Sequence, residues 1–264
     1  MDVGSGLHPF NILSMFEKEI EAYNRSLQQN PEWQGKCLSP RCVLFDMDGV
    51  LYDSMPNHAI AWVKALKEFG IHFTAEDSYA TEGARGVDTI RAYIKKQQGR
   101  EISEEEAQKI YDVKTHYFHS LPETHIFPGV RELMQKIKDH GLTIGVVTGS
   151  GQKPLIKRLL NDFKGFLTAD HIVTAYDVSK GKPNPDPYLM GLSKCGGLMP
   201  WQGIVIENAP LGVRAGVAAH IFTVGVNSGP LPDSALSNEG ANLVFKRMTD
   251  FYDVSDELLE KGGC

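Results

Sequence analysis

Two aspartates separated by one residue, Asp46-Met47-Asp48, close a short apolar run, and a glycine follows at 49. In an extended chain, side chains two positions apart point the same way. Gly49 then lets the backbone turn away sharply. Carboxylates held this close repel each other, and a hard divalent cation such as Mg²⁺ relieves that through oxygen ligands. With a phosphoryl group held at the cation, one carboxylate can attack phosphorus. Three more apolar runs end in polar residues. Thr148-Gly149-Ser150-Gly151 follows LTIGVV, Asp177 and then Lys182-Pro183-Asn184-Pro185 follow HIVTA, and Glu207-Asn208 follows GIVI. Thr148 supplies a neutral hydroxyl donor, and Lys182 a point charge for phosphate oxygens. Nucleophile, acid, donor, cation and metal amide make a complete phosphoryl-transfer set.

These residues can meet only if the runs are neighbouring strands. CVLF, LTIGVV, HIVTA, GIVI and IFTVGV read as buried parallel strands, because both faces of each are apolar. Helical stretches near 129–140, 153–163, 185–195 and 210–219 separate them. The alternation predicts a doubly wound parallel α/β sheet, a Rossmann-like core with its ligand at the carboxyl ends of the strands. Residues 54–125 contain no such run. WVKALKEFG, TIRAYIKKQQG and EEEAQKIYDVKTHYFHSL are polar and helix-periodic, so an all-helical cap is inserted after the first strand. The expected division is an N-terminal helical extension over 1–40, a catalytic core over 41–54 and 122–264, and a cap over 55–121. Within the extension, Leu13, Phe16, Ile20 and Leu27 predict one amphipathic helix over 13–28.

The chain has 264 residues with 27 Lys and Arg against 33 Asp and Glu, a net charge of −6. A mildly acidic chain without a basic block speaks against a nucleic-acid partner. No run approaches 18 apolar residues, which speaks against a membrane span, and the first residues lack the basic and apolar regions of a secretory signal. Cys37, Cys42, Cys195 and Cys264 form no zinc pattern. They are expected to be reduced, which places the protein in the cytoplasm. Gly149-Ser150-Gly151 fails as a dinucleotide loop because Pro154 stands at the third glycine position. His116, His119 and His125 lack an acid or cysteine at ligand spacing and read as a solvated cap surface.

VLFDMDGVLYDS, VVTGSG, GKPNPDPY and VIENAPLGVRAG resemble the four ordered motifs of the haloacid dehalogenase superfamily. The helical insert resembles the small cap of its β-phosphoglucomutase-like branch. The resemblance covers residues about 41–250. It implies that Asp46 is the nucleophile and Asp48 the general acid and base. It implies that Thr148 bonds the phosphoryl group, with Gly149 and Ser150 beside it, and that Lys182 steadies nucleophile and phosphate. Mg²⁺ is the implied cofactor. Family dehalogenases lack the second aspartate, so Asp48 favours phosphoryl transfer. His58 falls where the branch often has a histidine near the hinge that positions substrate or controls proton transfer. Glu207 and Asn208 fall where the family usually has an acidic pair. Here the second acid is an amide, which leaves Glu207 as support and Asn208 as a metal ligand with one charge fewer.

The cap loop departs as well. Tyr79-Ala-Thr-Glu82-Gly83-Ala-Arg85-Gly86 resembles the loop that selects substrate in this branch. Sugar-phosphate mutases carry a lysine and an arginine at the positions of Glu82 and Gly86, and Arg85 stands one place off. A carboxylate there repels a phosphate but attracts Mg²⁺, so Glu82 is expected to restore the charge missing at Asn208. A cap that ligates the metal closes fully and leaves room for a small substrate. Inorganic pyrophosphatases of the branch show this pattern. The expected function is therefore a Mg²⁺-dependent phosphohydrolase working through an aspartyl-phosphate on pyrophosphate or another small phosphate, as monomer or homodimer. The first alternative is a β-phosphoglucomutase or sugar-phosphate phosphatase. An alternative of another class is a catalytically silent binding protein on the same fold.

Overall fold

The computed structural model describes residues 9–260, with side-chain surroundings from Phe16 onward. Six strands form one parallel sheet in the order β3-β2-β1-β4-β5-β6. They are β1 (Cys42–Phe45), β2 (Thr143–Val147), β3 (Ile172–Val173), β4 (Gly203–Glu207), β5 (Phe222–Val226) and β6 (Leu243–Phe245). All four residues of β1 are buried, because both faces of the sheet are covered. Val43 and Phe45 point to one side, with Val130, Leu133 and Phe251. Cys42 and Leu44 point to the other, with Tyr188, Leu192 and Ala215.

Helix α1 (Pro9–Leu27) begins earlier than expected and covers the first face. Its Phe16, Ile20, Tyr23 and Leu27 belong to the main core. The Tyr23 ring meets Phe222 edge-on at 5.4 Å, and its hydroxyl donates to the His220 carbonyl at 2.8 Å. Each such side chain, fully buried, contributes roughly 2–3 kcal/mol relative to exposure. The side chain of Leu13 lies outside the described residues.

Between β1 and β2 the chain forms α2 (Met55–Glu68), α3 (Ala75–Ala80), α4 (Gly86–Gln98) and α5 (Glu104–His119). This cap has its own apolar cluster, including Trp62, Leu66, Phe73, Ile90, Ile94 and Ile110. Its helices start where the sequence supplies caps. Thr74 and Asp77 form a reciprocal capping box, and Ser103 accepts from the Glu106 amide. Helices α6 (Val130–Asp139), α7 (Lys153–Asp162), α8 (Asp186–Lys194) and α9 (Pro210–Ala218) follow the expected order. The chain ends with α10 (Ser234–Ser237) and α11 (Met248–Glu260).

β6, α10 and α11 were not among the expected elements. Leu243–Phe245 is a three-residue edge strand, too short to carry a periodic signal. Cys42 and Cys195 are buried free thiols. Cys37 is disulfide-bonded, so the expectation of four reduced thiols fails there. Among the described residues no helix is long and apolar enough to cross a membrane.

Candidate active site

The sheet reverses direction of growth at β1, whose neighbours are β2 on one side and β4 on the other. A crevice therefore opens at its carboxyl end. Asp46 follows β1 directly, and its amide donates to the Ile206 carbonyl at 3.0 Å. Both Asp46 and Asp48 are buried. Gly49 turns the chain with φ +82°, and a Cβ there would fall 2.0 Å from Asn208 Nδ2. Only glycine brings the motif loop flush against that amide.

Lys182 reaches the same point from the loop after β3. Its Nζ donates to Asp46 Oδ1, to Glu207 Oε1 at 2.7 Å and to the Val147 carbonyl at 3.0 Å. Glu207 also accepts from Tyr188 Oη at 2.6 Å and from the amides of Asn208 and Ala209. It is fully buried and its bonds are directed at neighbouring protein groups, which suits a supporting carboxylate. Thr148 closes β2, and its Oγ1 accepts from the Ser150 amide at 3.0 Å. Asp48 Oδ1 accepts from Ser54 Oγ at 2.6 Å. His58 Nε2 lies 3.1 Å from the same oxygen but out of line for a hydrogen bond. On its other side His58 Nδ1 is 2.8 Å from Lys114 Nζ.

The acids outnumber the bases. Asp46, Asp48, Glu82 and Glu207 face two ammoniums, Lys114 and Lys182. Burial pushes the Asp46 carboxyl up to about 8. Lys182 pulls it down, while Glu207 and Asp48 push it further up. Glu82 is raised by burial and then by Asp48 and Asp46. Burial alone would raise Asp48, but His58, Ser54 and Lys114 together hold it at about 2. Lys182 is raised, because Asp46 and Glu207 outweigh its desolvation. Lys114 is lowered to about 8 by burial, against the pull of Glu82 and Asp48. Lys182 thus stays charged, and what the cluster lacks is positive charge.

A hard divalent cation fits that deficit. Asn208 Oδ1 is buried without a hydrogen-bond partner, an acceptor left over beside the two aspartates. Among the described residues no three His, Cys, Asp or Glu side chains converge as a ligand group. The fit therefore rests on Asp46, Asp48 and the Asn208 amide oxygen, with water completing the shell as Mg²⁺ commonly allows. Glu82 faces the aspartates without joining them in such a group.

Asp48, His58, Glu82, Gly149 and Ser150 line a cavity of about 40 Å³ between cap and core, together with Trp62, Tyr111 and Lys114. Thr148 and Lys182 lie behind Gly83 and Gly149 in an adjoining crevice. A larger cavity of about 470 Å³ lies at the hinge, between Asn57 and Arg158, and contains none of the candidate residues. The structure thus gathers the candidates at the carboxyl end of the sheet, with Arg85 lining the crevice beside Thr148 and Lys182. Its guanidinium turns outward, donating to Glu104 and, at 3.3 Å, to the Ser179 carbonyl. Arg85 ties the cap to the core.

Sequence reasoning passed over Lys114, Ser54 and Tyr188. Lys114 carried a signal. It stands in the apolar stripe Ala107, Ile110, Phe118 of α5, where a charge has no place unless it meets a partner. It is 1% exposed.

The chain is similar to several known proteins. The sequence model of the haloacid dehalogenase-like hydrolases matches residues 43–226. Hexitol phosphatase A of Escherichia coli is 31% identical over 188 residues, which cover 70% of this chain and 82% of the relative. The β-phosphoglucomutase of Bacillus subtilis is 27% identical, covering 80% and 91% of the two chains. A solved structure from Bacteroides vulgatus, provisionally named a β-phosphoglucomutase, superposes with a TM-score of 0.86. It is 46% identical and covers 94% of this chain and 99% of its own. With the family motifs spanning well over half its length on a matching fold, the chain belongs to the haloacid dehalogenase-like hydrolases, in the branch that includes β-phosphoglucomutase.

Proposed function

We propose that the protein is a phosphohydrolase that passes the phosphoryl group of a small substrate through Asp46 to water. One observation carries the proposal. Asp46 and Asp48 stand together at the carboxyl end of the central strand, one against a buried ammonium and the other against Ser54 and His58. Two like groups in opposite surroundings take different roles.

When bound, Mg²⁺ would supply positive charge at Asp46, Asp48 and Asn208 and so permit an anionic phosphate to approach. An Asp46 carboxylate oxygen attacks phosphorus, and the bond from phosphorus to the leaving oxygen breaks. Lys182 and the Thr148 hydroxyl steady the phosphoryl oxygens. Asp48 gives the leaving oxygen its proton. Ionised at rest, it takes that proton from solvent as the incoming phosphate's negative charge raises its affinity. It then takes a proton from water, which attacks the phosphorus, releasing phosphate and restoring the Asp46 carboxylate. Ser54 keeps Asp48 oriented between the two half-reactions, and Lys114 holds the His58 ring beside it. Survival of this whole set speaks against a silent binding protein.

For the substrate class, the relatives favour the alternative over pyrophosphate. Hexitol phosphatase A and a phosphorylated carbohydrates phosphatase of Thermotoga maritima, 26% identical, act by name on phosphorylated carbohydrates. A phosphorylated carbohydrate is therefore the first reading of the substrate. Pyrophosphate stays as a second reading because of Glu82, a carboxylate facing the aspartates in a cavity of about 40 Å³. The test is phosphate release from pyrophosphate, hexose and hexitol phosphates by the wild type and Glu82→Gln, with Mg²⁺ and with chelator. A carbohydrate enzyme keeps or improves its sugar-phosphate turnover in Glu82→Gln. A pyrophosphatase loses pyrophosphate turnover most. Activity undiminished by chelator, or absent on every phosphate, would sink the proposal.

A further inference from the structure

The cavity at the aspartates has a larger neighbour. A cavity of about 270 Å³ lies beside it, between helices α4 and α5 of the cap and the loop at Gly149–Gln152. Gly86, Tyr111 and Gly149 line both spaces. Two of the three have no side chain, so the ring of Tyr111 is the only side chain in the shared wall. The ring lies flush on cap backbone, since a Cβ at Gly86 would fall 2.2 Å from it. At the seam with the core, a Cβ on Gly149 would be 3.2 Å from the Gly83 carbonyl oxygen. There backbone meets backbone, and the seam cannot widen without moving the cap. The Tyr111 ring is backed by Trp62 at 5.9 Å and lies under the Lys114 ammonium at 5.6 Å. Its hydroxyl lies beside the Gln152 side chain of the core.

We propose that Tyr111 is a specificity-determining residue: its ring divides the space between cap and core into a phosphoryl-sized inner site and an outer chamber, and so sets how large a leaving group can be. This rests on the phosphohydrolase reading but not on either choice of substrate.

The walls of the outer chamber suit a polyhydroxylated group. Gln108, Asp112, Thr115 and Gln152 offer donors and acceptors. Tyr176, 84% exposed, lies against Gly151, where a Cβ would come within 2.3 Å of the ring. An apolar face beside polar groups is the combination that holds a sugar ring. Gln152 Oε1 is buried without a partner, an acceptor free for an entering hydroxyl.

The experiment removes the ring and reads a ratio. In the Asp46→Asn background, calorimetry with Mg²⁺ gives the affinities for orthophosphate and for a hexose 6-phosphate. Adding Tyr111→Ala shifts their ratio toward the hexose phosphate by about tenfold or more. In the active enzyme, the ratio of kcat/KM for hexose 6-phosphate to that for pyrophosphate moves the same way. Tyr111→Phe keeps the ring and keeps the wild-type ratio. Tyr111→Leu repeats the test with an apolar side chain that still covers Trp62, should the alanine variant fold poorly. Unchanged ratios in a folded Tyr111→Ala or Tyr111→Leu, or a shift in Tyr111→Phe as large as in Tyr111→Ala, would overturn the proposal. Absence of phosphate release from every substrate defeats the phosphohydrolase reading, while the binding ratios still decide the role of the wall.

Discussion

Replacing Asp46 with asparagine should abolish turnover and make the metal-free protein more stable. The residue is 3% exposed, and burial with its acidic neighbours pushes its carboxyl from 3.8 up to about 8. The folded protein therefore holds a proton that the unfolded chain has released above about pH 4. Between those values stability falls as pH rises, by at most about 1.4 kcal/mol per pH unit. Above pH 8 the ionised carboxylate costs at most about 6 kcal/mol, less to the extent that Glu207, Asp48 and Lys182 readjust with it. Asparagine removes this cost. That ceiling already contains the pull of Lys182, so the only further loss is in how well asparagine replaces the hydrogen bond to Lys182. Lys182 is not left alone, because it keeps Glu207 Oε1 at 2.7 Å and the Val147 carbonyl at 3.0 Å. The asparagine oxygen can also still accept from it. The loss is then on the order of 1–2 kcal/mol, and the net gain about 2–4 kcal/mol at pH 8. For a chain of this size that raises Tm by roughly 4–12 °C.

Thermal melts of both proteins with chelator, at pH 5 and pH 8, read this directly. The gain should be largest at pH 8 and shrink toward pH 5, where Asp46 is protonated. Saturating Mg²⁺ should close the gap, since the cation binds the native aspartate better and stabilises the wild type. A variant less stable than wild type at pH 8 without metal would refute the account of Asp46 as a charge in excess. Phosphate release by the variant near the wild-type rate would refute its role as nucleophile.

Other residues give sharper individual tests. Gly49→Ala puts a methyl 2.0 Å from Asn208 Nδ2 at φ +82°, so the apparent Mg²⁺ affinity should fall about 10- to 100-fold; an unchanged Mg²⁺ titration would remove Asn208 from the ligand set. Lys182→Met strips Asp46, Glu207 and Val147 of their shared ammonium. Urea unfolding near pH 7 should show a loss of about 3–5 kcal/mol together with inactivity, and a loss below about 1 kcal/mol would contradict the cluster described. Lys114→Met removes a lysine lowered from 10.5 to about 8. Because the folded protein releases that proton first, Lys114 costs stability fully below pH 8, and the cost fades toward pH 10.5. The stability gained by Lys114→Met should fade over the same window while turnover drops at every pH; a pH-independent difference would argue against a buried ammonium.

The carboxyl ends of the strands could be read from the amino acids alone. A parallel strand covered on both faces is apolar without interruption, so the place where CVLF gives way to Asp46 marks both the strand's end and the ligand's side of the sheet. The same reasoning located Thr148, Glu207 and Asn208, and the missing strand pattern over residues 54–125 marked the helical insert. The edge strand β6 escaped because three residues are too few to show a period. Only the folded chain decided what the cap contributes. Lys182 meets Asp46 across 136 positions and Lys114 meets His58 across 56, and no local pattern encodes either pairing. An apolar stripe says that a helix face is buried, but not what it is buried against. Arg85 and Glu82 lie three residues apart in one loop, yet one turns outward to Glu104 and the other toward the aspartates. Their directions depend on how the cap closes on the core, where Gly83, Gly86 and Gly149 allow backbone and ring to touch. That contact is made between segments distant in sequence, so it belongs to the tertiary structure.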